Sequence, residues 1–241
     1  MGMKPAAPGA PRARTPTRIQ AANRETILQA ALPVFATYGF RGSTIDQIAE
    51  RAGMSKPNLL YYFRRKEEIY EAVLQRTLTQ WLAPLRTLER DGDPETELRA
   101  YIEDKLRMSF EQPEASRLFA NEILSGAPVM RGFLETELRT LVDAKAAVIT
   151  HWIETGQLHP VDPIHLIFAI WATTQHYADF AVQIECVLGE RARSPDFLKE
   201  TTQAVLSIIL GNGGQRRPDE AEPAPPASAP VNAIESASEP S

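Results

Sequence analysis

The chain has 241 residues, 43% of them hydrophobic, a single cysteine and a formal net charge of −5. The lone Cys186 excludes an intramolecular disulfide and a cysteine-cluster metal site. No apolar run reaches the ~20 residues that span a bilayer, and none has the N-terminal position of a signal peptide. We therefore expect a cytoplasmic protein without a membrane partner. Residues 1–66 contain eleven basic and three acidic residues, a charge of +8, while the remainder has −13. This asymmetry favours an N-terminal segment that binds a polyanion.

The two ends of the chain have compositions that do not favour folding. Residues 1–22 contain four prolines and no acidic residue, and residues 212–241 contain six prolines and six alanines. Neither segment has enough large apolar side chains to offset the entropy that is lost on ordering. We therefore predict a disordered basic arm at 1–22 and a disordered Pro/Ala-rich tail at 212–241, with a folded part between them.

The first domain is predicted at 23–66 and begins with a helix between Asn23 and Gly39. Apolar residues recur there at helical spacing. Pro33 lies inside this apolar stripe, and an interior proline removes a backbone hydrogen bond and kinks a helix. We therefore expect this helix to be bent at Pro33.

The next two helices have the spacing of a helix-turn-helix. Thr44 and the glutamine three residues later form a capping-box pattern, and Ser55 is an N-cap for the following helix. Ala49 is small where two crossing helices approach, Gly53 suits a left-handed turn, and Leu59 anchors the second of these helices on the first. This geometry places the second of them in the DNA major groove. It also occurs in proteins that never bind DNA, but the charge of +8 favours DNA.

Polar side chains on the exposed side of this recognition helix are candidates for contacts with base edges and phosphates. Arg64 and Arg65 add positive charge at the end of the helix, where it would meet the DNA backbone. The candidate DNA-binding residues are Thr44, Lys56, Pro57, Asn58, Tyr61, Tyr62 and Lys66.

The second domain, predicted at 67–211, continues with helical periodicity and without an alternating strand pattern. Pro84 should bend or end its first helix, and Asp162-Pro163 has the cap and first-turn pattern of a helix start. The helices are predicted at 67–88, 98–110, 113–125, 133–152, 163–188 and 196–210. The fold class is therefore all-α with about nine helices, a three-helix head on a larger helical body.

The last two predicted helices, 163–188 and 196–210, are too apolar for two solvated surface helices. Pairing with their copies in a second chain would form a four-helix interface. Ordinary burial in the core is the alternative. A homodimer also suits DNA, because two heads can read half-sites ~34–36 Å apart or at multiples of that distance.

One face of the 163–188 helix has the chemistry of a ligand pocket. Trp171, Gln175 and Asp179 share this face at i, i+4 and i+8. A glutamine amide can pair with the adjacent N–H and carbonyl of a pyrimidinedione ring, and Trp171 and Trp81 offer flat stacking surfaces. Little positive charge lies near these positions in the sequence, which favours a neutral planar ligand. Core tryptophans and a glutamine paired with the backbone are the alternative interpretation.

The head resembles the TetR family of transcription regulators. The segment at 44–63, TIDQIAERAGMSKPNLLYYF, followed by Lys66-Glu67, is similar to the family's DNA-binding motif, and the similarity covers about residues 24–72. The resemblance implies an all-α homodimer with an N-terminal domain that binds a double-stranded DNA operator and a C-terminal domain that binds a ligand.

The body resembles the pyrimidine-responsive members of the same family. The similar segments are 80–85, 113–119, 125–128, 162–168 and 170–183. The resemblance implies that uracil or thymine is the effector and that its binding releases the operator. We expect no other cofactor and no metal. It assigns ligand contacts to Trp81, Trp171 and Gln175, and less directly to His176, Tyr177 and Asp179.

An enzyme fits the sequence least well. The four histidines have no metal-ligand spacing, and the common nucleophile and metalloprotease motifs are absent. Two alternatives to a pyrimidine sensor stay open: a regulator of this type with a different small planar effector, and an effector-independent helical DNA-binding protein. The sequence also leaves open the operator, the target genes, repression or activation, and the choice between uracil and thymine.

Overall fold

The computed structural model describes residues 18–211, so the predicted tail at 212–241 and most of the predicted arm lie outside the described residues. Within 18–211 the regular elements are helical and no strand is present, which confirms the all-α class. A π-helical segment, Leu134–Leu138, and a 3-10 helix, Gly189–Arg193, lie between α-helices. The helices are α1 (Arg18–Gly42), α2 (Ile45–Arg51), α3 (Lys56–Tyr62), α4 (Lys66–Arg86), α5 (Pro94–Glu111), α6 (Pro113–Leu124), α7 (Arg131–Phe133), α8 (Arg139–Glu154), α9 (Pro163–Asp179), α10 (Ala181–Leu188) and α11 (Phe197–Leu210).

Helix α1 differs from its prediction at both ends. It begins at Arg18, so the prediction of disorder was wrong for residues 18–22, which lie in its first turns. The helical geometry is interrupted at Gly39, with φ 66° and ψ 175°, while Pro33 lies inside the helix. Buried α1 side chains lie on both sides of Pro33, with Ala31 before it and Phe35 after it, and burial of an apolar face stabilises a helix beyond its local propensity.

The helix-turn-helix forms as its local signals predict. The Thr44 hydroxyl accepts a hydrogen bond from the Gln47 N–H at 3.2 Å, and the Gln47 side chain accepts one from the Thr44 N–H at 2.8 Å, which completes the capping box. Gly53 has a φ of 67° in the turn, and Ser55 caps α3. Leu59 is fully buried between the helices.

Two hydrophobic clusters divide the molecule, and α4 belongs to both. The head cluster consists of buried residues from α1 to α4 together with Leu118 and Met130. The body cluster consists mainly of buried residues from α4, α5, α8, α9 and α11. The first half of α4, including Ile69, packs in the head, whereas Leu82 and Leu85 pack in the body.

Pro84, Asp162 and Phe180 mark helix ends in the body. Helix α4 ends at Arg86, two residues after Pro84, as expected. The Asp162 side chain caps α9 at the predicted position. The stretch predicted as one helix at 163–188 is two helices, α9 and α10, which meet at Phe180. Among the described residues, no helix is both long and apolar enough to cross a membrane.

The backbone at Gly39 gives a first testable prediction. Its dihedral angles lie in a region that is open almost only to glycine, so Gly39→Ala should lower the free energy of unfolding by about 1–3 kcal/mol. The matched control is Gly132→Ala, because Gly132 lies in a helix with open space around its Cα, and it should be neutral or stabilising by about 0.5–1 kcal/mol. Urea denaturation measures both, and equal effects would contradict this account of the kink.

Candidate functional site

The exposed surface of α3 is the first candidate site. Lys56, Pro57, Asn58 and Tyr61 are exposed there, with Tyr61 at 69%, while Leu59 on the opposite side is buried. Thr44, at the start of α2, is also exposed. The helix therefore presents most of the predicted DNA-binding residues on one solvent-facing surface.

Helix α1 supports α3 from behind through the two tyrosines. The Asn23 amide donates to the Tyr62 hydroxyl at 2.6 Å, and Arg24 donates to the Tyr62 carbonyl at 2.8 Å. The Gln20 amide donates to the Tyr61 hydroxyl at 3.3 Å. Tyr62 is half-buried, so this predicted DNA-binding residue also links α3 to α1.

Lys56 remains available to a phosphate despite its ion pair. Its ammonium lies 2.9 Å from an Asp46 carboxylate oxygen, and the two side chains are 49% and 67% exposed. An exposed pair of this kind contributes about 0–1 kcal/mol. Exchange of the aspartate for a DNA phosphate therefore costs little.

Lys66, a predicted DNA-binding residue, binds the backbone at the end of α1 instead of pointing to the exposed surface of α3. Its ammonium donates to the Phe40 carbonyl at 2.6 Å and to the Ser43 carbonyl at 2.7 Å, and it lies 4.5 Å from the centre of the Phe40 ring. A cation at the end of a helix satisfies carbonyl groups that have no partner within the helix. Lys66 therefore closes the end of α1, and the expected phosphate contact is corrected to a structural contact.

The second candidate site is a pocket in the body between α4, α5, α6 and α9. It contains a cavity of about 40 Å³ that is partly open to solvent. Trp81, Trp171 and Gln175, the three residues assigned first to the ligand, all line it. The full set of lining residues is Thr77, Leu78, Trp81, Leu82, Lys105, Phe119, Leu138, Trp171 and Gln175.

The two pocket tryptophans differ in their hydrogen bonding. The Trp171 Nε1 donates to the Tyr101 hydroxyl at 2.6 Å, so its indole N–H is already used and its ring face is what it offers to a ligand. The Trp81 Nε1 is buried and has no partner among the described residues. An unpaired buried donor costs about 1–3 kcal/mol, so an acceptor on a ligand would recover this free energy.

Lys105 is a pocket residue that the sequence reasoning missed. It is 3% exposed, its ammonium lies 4.1 Å from the centre of the Trp81 ring, and it forms no ion pair with a described carboxylate. Burial lowers the pKa of Lys105 to about 7, although the charge of Asp179 partly opposes the shift. The expectation that little positive charge lies near the pocket was therefore wrong. Its helical spacing with the buried residues Tyr101 and Ser109 was the signal that could have found it.

The three weaker ligand candidates do not line the pocket. His176 is exposed and stacks on Phe180, with ring centres 5.0 Å apart. Tyr177 packs in the core against Phe110 and Phe197.

Asp179 faces α6, where it accepts a hydrogen bond from the Ser116 hydroxyl. Its burial raises the pKa of the carboxyl group. A step of four residues turns a helix by about 40°, so Asp179, two such steps after Trp171, has rotated away from the pocket. Asp179 acts on the site through its charge on Lys105.

The exposed recognition helix on an all-helical body defines a helix-turn-helix DNA-binding protein. Residues 27–73 match the family described as bacterial regulatory proteins, tetR family, and residues 74–215 match the family described as YcdC-like protein, C-terminal region. The chain belongs to the TetR family of transcription regulators. It is a DNA-binding regulator and not an enzyme, as the sequence predicted.

The relatives agree with this assignment. The HTH-type transcriptional regulator RutR of Escherichia coli K12 is 48% identical over 194 residues, which are 80% of this chain and 92% of that protein, and this confirms the predicted family resemblance. The fold also matches the ketosteroid regulator KstR2 of Mycobacterium tuberculosis, with a TM-score of 0.61, 22% identity and coverage of 78% and 93%. AibR, in complex with isovaleryl coenzyme A and operator DNA, gives a TM-score of 0.61, 15% identity and coverage of 78% and 98%.

The structural position of Lys66 can be tested against its predicted DNA contact. Lys66→Met should lower the free energy of unfolding by about 1–3 kcal/mol, because two carbonyls lose a charged donor. The slope of log affinity against log salt, measured on a duplex that the protein selects from a random library, should not change. Arg64→Gln, at an exposed position after α3, is the comparison and should reduce the slope by about 0.9 without loss of stability. A reduced slope for Lys66→Met would instead support the predicted phosphate contact of Lys66.

The burial of Lys105 predicts how stability depends on pH. The unfolded chain keeps a proton on Lys105 up to about pH 10.4, whereas the folded chain releases it near pH 7. Its contribution to the free energy of unfolding therefore rises with pH between these values, by up to about 1.4 kcal/mol per unit, and is constant below pH 7. Lys105→Met should be about 1–4 kcal/mol more stable at pH 7. Urea denaturation at several pH values should show this advantage shrinking from pH 7 to 9, and a constant advantage would contradict the prediction.

Proposed function

We propose that this regulator binds a pyrimidinedione, uracil or thymine, in the body pocket and releases its operator in response, and that it controls genes of pyrimidine metabolism. The observation that supports the proposal most is the convergence of Trp81, Trp171 and Gln175 on one cavity. The ligand class itself comes from the resemblance of the body segments to pyrimidine-responsive regulators.

The chemistry of the pocket suits a flat ring with carbonyl oxygens. Trp81 and Trp171 provide ring faces for stacking, and the Gln175 amide can pair with an N–H and its neighbouring carbonyl. Lys105 and the unpaired Trp81 Nε1 are two further donors without an acceptor. A dione ring supplies acceptors to both, whereas cytosine has an amino group where uracil has a carbonyl. The donors therefore favour uracil or thymine over cytosine.

A homodimer is part of this proposal. Six large apolar side chains on α9, α10 and α11 and at the junction of α9 with α10 are exposed in the single chain, and this number of exposed apolar side chains on neighbouring helices favours an interface. Two heads in a dimer would read two half-sites of an operator. The exposed residues that support pairing of these helices with a second copy are Ile164, Phe168, Phe180, Val182, Val187 and Ile208.

Release of the operator requires a difference in effector affinity between two conformations. A change from 1:99 to 99:1 needs about 5.5 kcal/mol of differential binding. In the proposed mechanism the effector favours the conformation in which Lys105 and Trp81 reach its oxygens. That conformation holds the two heads at a spacing that does not match successive grooves.

The pocket assignment is tested with Gln175→Ala. This variant should bind the operator with wild-type affinity but should lose the response to uracil, because the loss of the amide removes the paired hydrogen bonds. The control is Gln157→Ala, an exposed glutamine in the turn after α8, which should respond as wild type does. Fluorescence anisotropy of a labelled operator with uracil, thymine and cytosine, together with a thermal-shift series of nucleobases, measures the response. If uracil still released the Gln175→Ala variant from the operator as it releases the wild type, Gln175 would not be a ligand contact.

A further inference from the structure

A carboxylate is buried between the head and the body. Glu122 on α6 is 2% exposed. One of its oxygens accepts a hydrogen bond from the Tyr70 hydroxyl of α4 at 3.1 Å, and the other accepts the N–H groups of Val129 at 2.7 Å and Met130 at 3.0 Å. We name the hydrogen bond between the two side chains the Tyr70–Glu122 contact.

Both carboxylate oxygens of Glu122 accept hydrogen bonds, even though no cation is paired with Glu122 among the described residues. Burial and the neighbouring carboxylate raise the pKa of Tyr70, so its hydroxyl stays protonated and donates. Three donors fix both oxygens of the carboxylate, and hydrogen bonds to a charged acceptor are stronger than neutral ones. The contact therefore holds α4 and α6 at a defined separation.

Both helices of the contact also form walls of the pocket. Helix α4 has Tyr70 at the head end and Trp81 eleven residues later, about 16 Å along the axis. Helix α6 has Phe119 in the pocket wall less than one turn before Glu122. A rigid-body movement of α4 or α6 that changes the distance between Trp81 and Phe119 would therefore also act on the contact or on the residues around it.

The residues around the contact belong to the head. The Tyr70 ring lies with its centre 5.0 Å from that of Phe35 and 5.0 Å from that of Phe40, both on α1. Helix α1 in turn supports α3 through Tyr62. A continuous set of packed groups thus joins the pocket wall to the recognition helix, with the Tyr70–Glu122 contact between them.

We propose that Tyr70 and Glu122 are positioning residues that couple the occupancy of the pocket to the geometry of the head. Neither residue lines the pocket or belongs to the exposed surface of α3. They act by keeping α4 and α6 together at the head end, so that a change at the pocket end turns α4 and with it the head. The effector in this proposal rests on the proposed function, but the coupling does not depend on which effector is bound.

The first measurement is the coupling ratio, the factor by which saturating uracil weakens operator binding. Tyr70→Phe keeps the ring and removes only the hydroxyl. It should bind operator alone and uracil alone nearly as wild type does, but its coupling ratio should fall about tenfold, the effect on an equilibrium of one charge-assisted hydrogen bond. Tyr38→Phe is the control, because Tyr38 lines the cleft beside Glu122 but is 55% exposed, and its ratio should not change.

A second variant separates coupling from simple loss of structure. Glu122→Gln keeps an oxygen for the N–H groups of Val129 and Met130 and places an amide N–H against the Tyr70 oxygen. The hydrogen bond between the side chains survives, so the coupling ratio should stay near the wild-type value. A purely structural contact would instead lower the thermal stability of Tyr70→Phe and leave its ratio unchanged.

The second measurement needs no effector. Because coupling is reciprocal, operator binding should change the fluorescence of the pocket tryptophans, Trp81 and Trp171, and this change should be smaller in Tyr70→Phe than in Tyr38→Phe. If uracil does not release the wild-type protein, the proposed function is wrong, and the fluorescence change still decides on the contact. The coupling role is overturned if Tyr70→Phe keeps both the wild-type ratio, where uracil acts, and the wild-type fluorescence change.

Discussion

Helix α4 is buried at one end in the head cluster and at the other in the body cluster, and the rest of the molecule depends on this. Ile69 near its start packs under the helix-turn-helix, and Leu85 near its end packs in the body. Each such leucine or isoleucine contributes about 1.5–3 kcal/mol by burial, so neither end can leave its cluster cheaply. A continuous helix also keeps its 1.5 Å rise per residue along its length. Movement of one end must therefore appear at the other.

The pocket lies beside this helix and contains polar groups that its own chain does not satisfy. The Trp81 Nε1 is buried without a partner among the described residues, and Lys105 is buried without an ion pair to a described carboxylate. Each of these lowers the stability of the empty protein. A ligand with acceptors recovers that free energy only in a conformation where the donors reach it, and this is the differential affinity that a shift between two conformations requires. The empty pocket therefore lowers the stability of the protein, and the same unsatisfied groups supply the free energy that binding recovers.

Local signals in the sequence predicted the head well. Thr44 and Ser55 cap helices that begin next to them, and Gly53 supplies a positive φ in the turn. These roles depend only on neighbouring residues, so they can be predicted without knowledge of the fold. The placements of Lys66 and Lys105 depend on distant groups. The carbonyls that bind Lys66 lie more than twenty residues earlier in the chain, and an isolated lysine in a charged segment is ordinarily exposed.

The pocket was predicted in part for a similar reason. Trp171 and Gln175 are one helical step apart, so periodicity alone places them on one face. A second step adds another 40° of rotation, and whether Asp179 still faces the pocket then depends on where α6 lies, which the sequence does not state. Pro33 shows the same limit for the backbone. It favours a bend in α1, but the backbone angles that leave the helical region lie further along the helix, at Gly39, where no side chain has to be accommodated.

The two ends of the α4–α6 pair are chemically opposite, and this difference gives the coupling its direction. At the head end Glu122 accepts three hydrogen bonds and has no unsatisfied oxygen, so the separation of the helices there is stiff. At the pocket end the Trp81 Nε1 of α4 lacks an acceptor, and the neighbouring Lys105 of α5 forms no ion pair with a described carboxylate, so no hydrogen bond of these groups has to break when a ligand enters. With one end fixed and the other adjustable, a change at the pocket becomes a rotation about the fixed end. If both ends were adjustable, the same ligand would only repack its own pocket, and the recognition helix would not move.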